Sequence, residues 1–313
     1  MQRFRFDAQQ EDVRNNDMDQ VELCSRISTA LKTALQLQRA LRPADAHRLS
    51  MACPVLDDLL RGGLPLQGIT ELSGESGVGK TQLALQLCLS VQYPPEHGGL
   101  NSGAVYICTE DAFPVRRLQQ LVEEQHHLRL DAPPALISSR HFTDHIYIEH
   151  AADLGALQTC IAQRVRLLLA RGVVRLVVVD SAAALFRAEF RPDDWLERTR
   201  QLQGFAATLH HLSHEFTTPI LCINQVVDVF SSSDDSLGPI SSKAVPALGL
   251  AWANQVMVRL MMQRLPATVV QADQSSALRR LDVIFAPHLA RSSQDAAVWR
   301  EGVRGFIHQK CVR

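Results

Sequence analysis

The chain has 313 residues, of which 46% are hydrophobic and 21% are charged, with a net charge of −1. This composition is ordinary for a folded α/β protein, and the length allows one large core or two small ones. With a net charge of −1, the chain lacks the surplus of basic residues that most nucleic-acid binders carry. Any contact with DNA would therefore be local or supplied by a partner. The sequence shows neither an apolar run long enough to span a membrane nor the apolar core of a signal peptide.

The polar N-terminal stretch predicts an extension outside the core. Residues 1–27 mix both charges with few apolar side chains, and residues 28–50 resemble a linker. We therefore predict an extension and linker over residues 1–44 and a folded core over residues 45–313. A short amphipathic segment at residues 53–63 ends in two glycines, which is typical of a helix stop.

Strand-like apolar runs then alternate with helical patterns. The predicted strands cover residues 68–72, 104–108, 145–148, 176–181 and 220–225, and the helices between them include 115–125, 154–170 and 195–216. Two predicted loops cover 131–144 and 227–245, and shorter strands at 255–265, 280–285 and 303–309 suggest an antiparallel flank. The alternation predicts an α/β fold with a mainly parallel, twisted sheet flanked by helices, whose ligands bind at the carboxyl ends of the strands.

The most specific motif is Gly-x-x-x-x-Gly-Lys-[Ser/Thr], which fits residues 74–81 between a predicted strand and a predicted helix. Its glycines allow backbone N–H groups to turn inward around a phosphate, at the positive end of the helix dipole. Lys80 is expected to reach the β- and γ-phosphates, and the Thr81 hydroxyl to bind Mg²⁺. The sequence therefore predicts a site for ATP and Mg²⁺ whose nucleotide-binding residues include Gly74, Glu75, Ser76, Gly77, Val78, Gly79, Lys80, Thr81 and Gln82.

Three polar residues close the predicted strands of the same sheet. Asp180 ends an apolar strand about 100 residues after the P-loop, which fits a Mg²⁺ ligand, although a lone strand-end Asp is more often a helix cap. Glu110 is a candidate to polarise an attacking water, and a solvated strand-end acid is the alternative. Gln225 is a candidate sensor of the γ-phosphate, a weak signal when taken alone.

Several blocks arrive in the order and spacing of a known family: LSGESGVGKTQLALQL, VYICTE, LVVVDS and INQVV, joined by CPVLDDLLRGGLP and PALGLAWANQ. Over residues 28–306 the chain resembles the eukaryotic RecA-type recombinases, and among them the recombinase paralogues. The resemblance implies a RecA-like P-loop ATPase core. It also implies that Glu110 activates water, that Arg117 packs on adenine, and that Gln225 links the γ-phosphate to the second of two DNA-facing loops. Loop one corresponds to residues 187–197 and loop two to residues 227–245.

The departures from the family pattern bear on function. Asp111 replaces the glycine that follows the catalytic glutamate, which adds an acid near the phosphates. The apolar stretch 284–286 replaces an acidic segment that caps ATP. Both loops are poor in cations, and each phosphate that a protein neutralises needs one. Against Arg187, Arg191 and Lys243, the loops carry the acids Glu189, Asp193, Asp194, Glu197, Asp228, Asp234 and Asp235.

A docking segment is also implied by the resemblance. Recombinases of this family polymerise through a Phe-x-x-Ala segment that adds a strand to the next subunit. Here Leu31-Lys32-Thr33-Ala34 stands at the corresponding place, with Leu31 and Ala34 as the docking residues. Leucine buries apolar area comparable to that of phenylalanine, so docking on a second recombinase paralogue is expected. An ordinary linker helix is the alternative.

These features predict an ATP-binding paralogue subunit acting in homologous recombination and double-strand break repair. It would dock on a second paralogue, assist the recombinase filament, and meet single-stranded or branched DNA through the complex. Slow ATP hydrolysis would serve as a switch, and the expected location is the nucleus, with some protein in the cytoplasm. Two alternatives stay open: a self-sufficient strand-exchange ATPase that forms homofilaments, and a small-molecule P-loop kinase.

Overall fold

The computed structural model describes residues 47–230 and 242–306. The predicted docking residues Leu31 and Ala34, and the loop-two acids Asp234 and Asp235, lie outside these ranges. The strands are β1 (Arg48–Leu49), β2 (Leu64–Pro65), β3 (Ile69–Gly74), β4 (Gly103–Cys108), β5 (Ile146–His150), β6 (Val174–Asp180), β7 (Ile220–Phe230), β8 (Ser242–Pro246), β9 (Val258–Gln271), β10 (Gln274–Phe285), β11 (Ser292–Val298) and β12 (Val303–Gly305).

The helices of the described residues lie between these strands. They are α1 (Pro54–Leu59), α2 (Lys80–Ser90), α3 (Val115–Glu123), α4 (Gln125–Leu128), α5 (Pro134–Ser138), α6 (Leu154–Thr159), α7 (Arg166–Ala170), α8 (Ala182–Ala188), α9 (Trp195–Phe216) and α10 (Gly249–Ala253). A π-helical turn at Cys160–Val165 joins α6 to α7, so the predicted helix at 154–170 forms as one continuous element. Among the described helices, none has the length and apolar character needed to cross a membrane.

In the described part of the chain, one sheet of ten strands organises the protein. The strands follow the order β12-β11-β10-β9-β3-β7-β6-β4-β5, and β8 pairs with β7 outside this path. The run from β9 to β5 is parallel, whereas β9 to β12 pair antiparallel. This arrangement confirms the predicted α/β fold, with its mainly parallel sheet and antiparallel C-terminal flank.

Both faces of the parallel strands are buried, which explains their continuous apolar sequences. In β6, Val178 packs into the core that contains α2, whereas Val177 and Val179 pack into the opposite core with α8 and α9. Helix α2 is itself buried from Leu83 to Ser90. The result is that β3, β4, β6 and β7 lie side by side in the interior and end at one edge of the sheet.

Two predictions from the sequence were wrong in local structure, and one strand was not predicted. Residues 131–144 contain α5 and a 3-10 turn at Phe142–His145, where we predicted a loop. Loop two is partly a two-stranded ribbon, because β7 continues to Phe230 and pairs with β8. Strand β11 had no sequence signal at all. These elements exist because a neighbouring strand or helix stabilises them, which local propensity does not report.

Candidate functional site

The P-loop occupies the turn between β3 and α2, and its three glycines all have positive φ. Gly79 (φ 116°) stands immediately before Lys80, the first residue of α2. A Cβ atom on Gly74 (φ 156°) would lie 2.3 Å from the carbonyl oxygen of Met262. Glycine at residue 74 is therefore required both by the backbone conformation and by the close approach of β9.

Lys80 lies inside this loop. Its Nζ donates to the carbonyl oxygens of Gly74 and Glu75, each at 2.7 Å. Burial lowers the pKa of Lys80, and the neighbouring carboxylates of Asp180, Glu110 and Glu75 oppose that shift. The ammonium is thus a buried donor whose hydrogen bonds a phosphate oxygen can replace.

Thr81 and Asp180 meet across the cleft, as the sequence predicted for a pair of metal ligands. The Thr81 hydroxyl donates to Oδ2 of Asp180 at 2.9 Å. A hydroxyl and a carboxylate are hard oxygen donors of the kind that Mg²⁺ prefers, so this pair fits the metal that the family implies.

Tyr106 is a part of this site that sequence reasoning missed. Its hydroxyl donates to the same oxygen of Asp180. Burial, followed by the charge of Asp180, raises the pKa of Tyr106, so the phenol stays protonated and acts as a donor. The sequence did contain a signal for Tyr106. Side chains two residues apart on a strand lie on the same face, and Tyr106 and Cys108 of β4 both line the cleft together with Asp180.

Glu110, two residues after the end of β4, and Gln225, within β7, lie in direct contact. The sequence predicted that Gln225 ends its strand, which was wrong, because β7 continues to Phe230. Nε2 of Gln225 donates to Oε1 and Oε2 of Glu110 at 2.6 and 2.7 Å. The Ser181 hydroxyl donates to Oε2 of Glu110 at 3.3 Å. Arg187 donates to Oε1 of Gln225 and lies 3.8 Å from Oε1 of Glu110. The contacts from Ser181 and Arg187 were not predicted from the sequence.

These groups surround a cleft of about 320 Å³. Of the predicted site residues, the cleft is lined by Ser76, Gly77, Gly79, Lys80, Thr81, Gln82, Glu110, Asp180 and Gln225. Asp111, the departure from the family pattern, also lines it. Gly74, Glu75, Val78 and Arg117 do not line the cleft, and the buried Val78 side chain leaves only its backbone to contribute.

Arg117, which the resemblance assigned to adenine, is held by groups beside the cleft. Its Nε donates to Oε1 of Gln82 at 2.5 Å. Its Nη1 and Nη2 donate to the carbonyl oxygens of Arg300 and Trp299 at 2.9 and 2.7 Å. Burial lowers the pKa of Arg117. The guanidinium therefore links α2, α3 and the turn after β11.

Loop one is largely helical, because it contains the end of α8, a 3-10 turn at Pro192–Asp194 and the start of α9. Two of its acids are engaged within the chain. Oε1 of Glu189 accepts from the backbone N–H of Leu154 at 2.6 Å, and Glu197 accepts from Arg200 and Gln201. The charge of Glu197 is therefore paired with that of Arg200, whereas the Glu189 carboxylate is held in place by a neutral donor and keeps its charge.

A cluster of His210, His211 and His214 does not form a metal site. Nε2 of His210 contacts the carbonyl oxygen of Gln255 at 2.6 Å, and His211 pairs with Glu215. Within the described residues, no group of three or more potential ligands is placed to hold a metal ion.

The fold and this site together define a RecA-type P-loop protein. The sequence matches the Rad51 family over residues 44–298, and the chain belongs to that family. It is 50% identical over 299 residues to the DNA repair protein XRCC3 of Bos taurus, which covers 93% of this chain and 86% of that protein. It is 51% identical over 286 residues to the DNA repair protein XRCC3 of Mus musculus, covering 90% and 81%.

A more distant relative is also a DNA repair protein. The chain is 31% identical over 264 residues to the DNA repair protein rhp57 of Schizosaccharomyces pombe, covering 75% of this chain and 73% of that protein. The resemblance to recombinase paralogues stated from the motifs is confirmed. Membership of the Rad51 family implies a RecA-type ATPase fold and nucleotide binding.

Proposed function

We propose that this chain is an ATP-binding recombinase-paralogue subunit that acts in DNA double-strand break repair by homologous recombination. One observation carries the proposal: the P-loop, the carboxyl ends of β4 and β6, and Gln225 within β7 bring an ammonium, a hydroxyl–carboxylate pair and a glutamine–glutamate pair around one cleft. The names of these relatives, all DNA repair proteins, support the biological role.

In this proposal the phosphates of ATP bind the backbone N–H groups of the P-loop and the Lys80 ammonium. Thr81 and Asp180 hold Mg²⁺, which would neutralise charge on the phosphates when bound. Tyr106 orients the Asp180 carboxylate through its hydroxyl. Glu110 positions the attacking water, and Gln225 contacts the γ-phosphate.

We further propose that hydrolysis is slow and that the nucleotide acts as a conformational switch. Both oxygens of Glu110 accept from Gln225, so the attacking water has to share this carboxylate with the Gln225 amide. Asp111 adds a second carboxylate to the lining of the cleft, which repels the phosphates. Single-turnover hydrolysis as fast as nucleotide binding would contradict this proposal.

Calorimetry with ATP and MgCl₂ tests nucleotide binding. Lys80→Ala removes a charge-assisted donor to phosphate, which is worth about 2 kcal/mol, so affinity should fall about 30-fold. Arg200→Ala, which removes an equal charge at a position outside the cleft, should bind like the unsubstituted chain. Equal affinity of Lys80→Ala and the unsubstituted chain would show that this cleft does not bind the phosphates.

We propose that the docking segment at Leu31 and Ala34 joins the chain to a second recombinase paralogue. The resulting pair assists the recombinase filament on single-stranded or branched DNA. This activity takes place in the nucleus, and some of the protein is in the cytoplasm. Co-expression with individual paralogues followed by gel filtration measures this association. A stable two-chain complex would support it. Homofilaments of this chain alone on single-stranded DNA, seen by electron microscopy, would instead favour a self-sufficient strand-exchange ATPase.

A further inference from the structure

Arg187 is a cation that contacts two residues of the cleft lining, Glu110 and Gln225, and none of the roles above uses it. It lies in the last turn of α8, at the first position of loop one, and it donates through Nη2 to Oε1 of Gln225. The same nitrogen is 3.8 Å from Oε1 of Glu110. A guanidinium from α8, an amide from β7 and a carboxylate from the turn after β4 are therefore joined in one ring of contacts.

The chemistry of the ring permits only one orientation of the Gln225 amide. A guanidinium has hydrogen-bond donors and no acceptor, and an ionised carboxylate has acceptors and no donor. The amide oxygen must therefore face Arg187, and the amide nitrogen must face Glu110. A flipped amide would oppose donor to donor at Arg187 and acceptor to acceptor at Glu110. Without Arg187, only Glu110 constrains the amide.

We propose that Arg187 is a positioning residue that holds the amide oxygen of Gln225, so that the amide nitrogen, which donates to Glu110 in this structure, is kept at the γ-phosphate side and discriminates ATP from ADP. This inference rests on the proposed nucleotide site. An oriented and polarised N–H donor is ready for an additional anionic oxygen, which ATP supplies through its γ-phosphate and ADP lacks. Gln225 continues directly into the β7–β8 ribbon, so the same contact joins the starts of loop one and loop two.

The experiment measures the affinities of AMP-PNP and ADP, each with MgCl₂, by calorimetry on the full chain. Arg187→Met removes the donor, and the ratio of AMP-PNP to ADP affinity should fall about tenfold, the effect of losing one charge-assisted hydrogen bond. ADP affinity itself should stay constant. Arg187→Lys keeps a donor without an acceptor, so it should restore most of the ratio. Arg200→Ala is the matched control for loss of one positive charge.

The outcomes separate this inference from the proposed function. Failure of the unsubstituted chain to bind either nucleotide contradicts the nucleotide site itself. Binding of both with equal affinity leaves the site standing and overturns the role of Arg187. An unchanged ratio in Arg187→Met, or an equal loss of both affinities, also overturns it. If Arg187→Met does not fold, Arg187→Gln replaces it, since a second amide both donates and accepts and cannot fix the orientation of the first.

Discussion

A buried ion pair under the P-loop gives the sharpest test of how the fold supports the site. Glu71 on β3 is fully buried, and each of its oxygens accepts one hydrogen bond. Nδ2 of Asn224 donates to Oε1 at 2.6 Å, and Nε of Arg259 donates to Oε2 at 2.6 Å. Asn224 precedes the proposed sensor Gln225, so this pair ties β7 and β9 to the strand that carries the P-loop.

Glu71→Gln tests the pair without creating a cavity, because the two side chains have nearly the same shape. The new amide can present its oxygen to Arg259, and its nitrogen then faces Asn224, whose own amide has to reverse to accept from it. It also leaves the Arg259 guanidinium, 18% exposed, without its counter-charge. Breaking one side of a buried pair costs about 3–5 kcal/mol, and we expect about 3 kcal/mol because water reaches Arg259.

Thermal and urea unfolding followed by circular dichroism measure this loss. For a domain of this size, 3 kcal/mol corresponds to a fall in Tm of about 6–12 °C. Glu149→Gln, which breaks the surface pair of Glu149 with Arg164, is the control and should change stability by less than about 1 kcal/mol. Adding Arg259→Leu to Glu71→Gln should cost less than the sum of the two single changes. A Tm within about 2 °C of that of the unsubstituted chain, which corresponds to a loss of less than about 1 kcal/mol, would refute the reasoning.

Two further predictions concern the glycines of the P-loop and Cys108 at the end of β4. Gly74→Ala should destabilise the protein by about 3 kcal/mol or more, because the new Cβ would meet the carbonyl oxygen of Met262. Gly77→Ala should cost only about 1–2 kcal/mol, because the space around Gly77 is open. Similar melting temperatures for the two variants would contradict the geometry. Burial raises the pKa of Cys108 to about 11, so at pH 8 only about one thiol in a thousand is ionised. Iodoacetamide labelling of Cys108, measured by mass spectrometry, should therefore be slow and rise about tenfold per pH unit from 8 to 10, and rapid labelling at pH 7 would count against the burial.

The P-loop and the strand-end residues were identified from the sequence because their signals are local. The glycine spacing at 74–79 specifies a backbone conformation that few other residues adopt. The apolar runs that end in Glu110, Asp180 and Gln225 indicate parallel strands buried on both faces, and parallel strands end at one edge. Residue types and spacing were therefore enough to predict which elements converge.

The contacts between those elements were decided by the tertiary structure. Tyr106 reaches Asp180, and Arg187 reaches Gln225, across sequence separations that no local pattern encodes. Arg117 is a further example: the resemblance implies a role at adenine, and the structure adds contacts with Gln82 and two backbone carbonyls that no local pattern encodes.

Strand β11 illustrates the physical reason most clearly. Its sequence, Ser292–Val298, contains serine, glutamine, aspartate and alanine, which have weak strand preference. It becomes a strand because it pairs with β10 on one side and β12 on the other, burying Ala296 and Ala297. The sequence by itself determined the P-loop, the parallel core and the residues at its edge, since hydrophobic periodicity and glycine conformation act locally. Only the packed structure decided the partners of each polar group and the extent of the flank, because those energies arise from segments far apart in the chain.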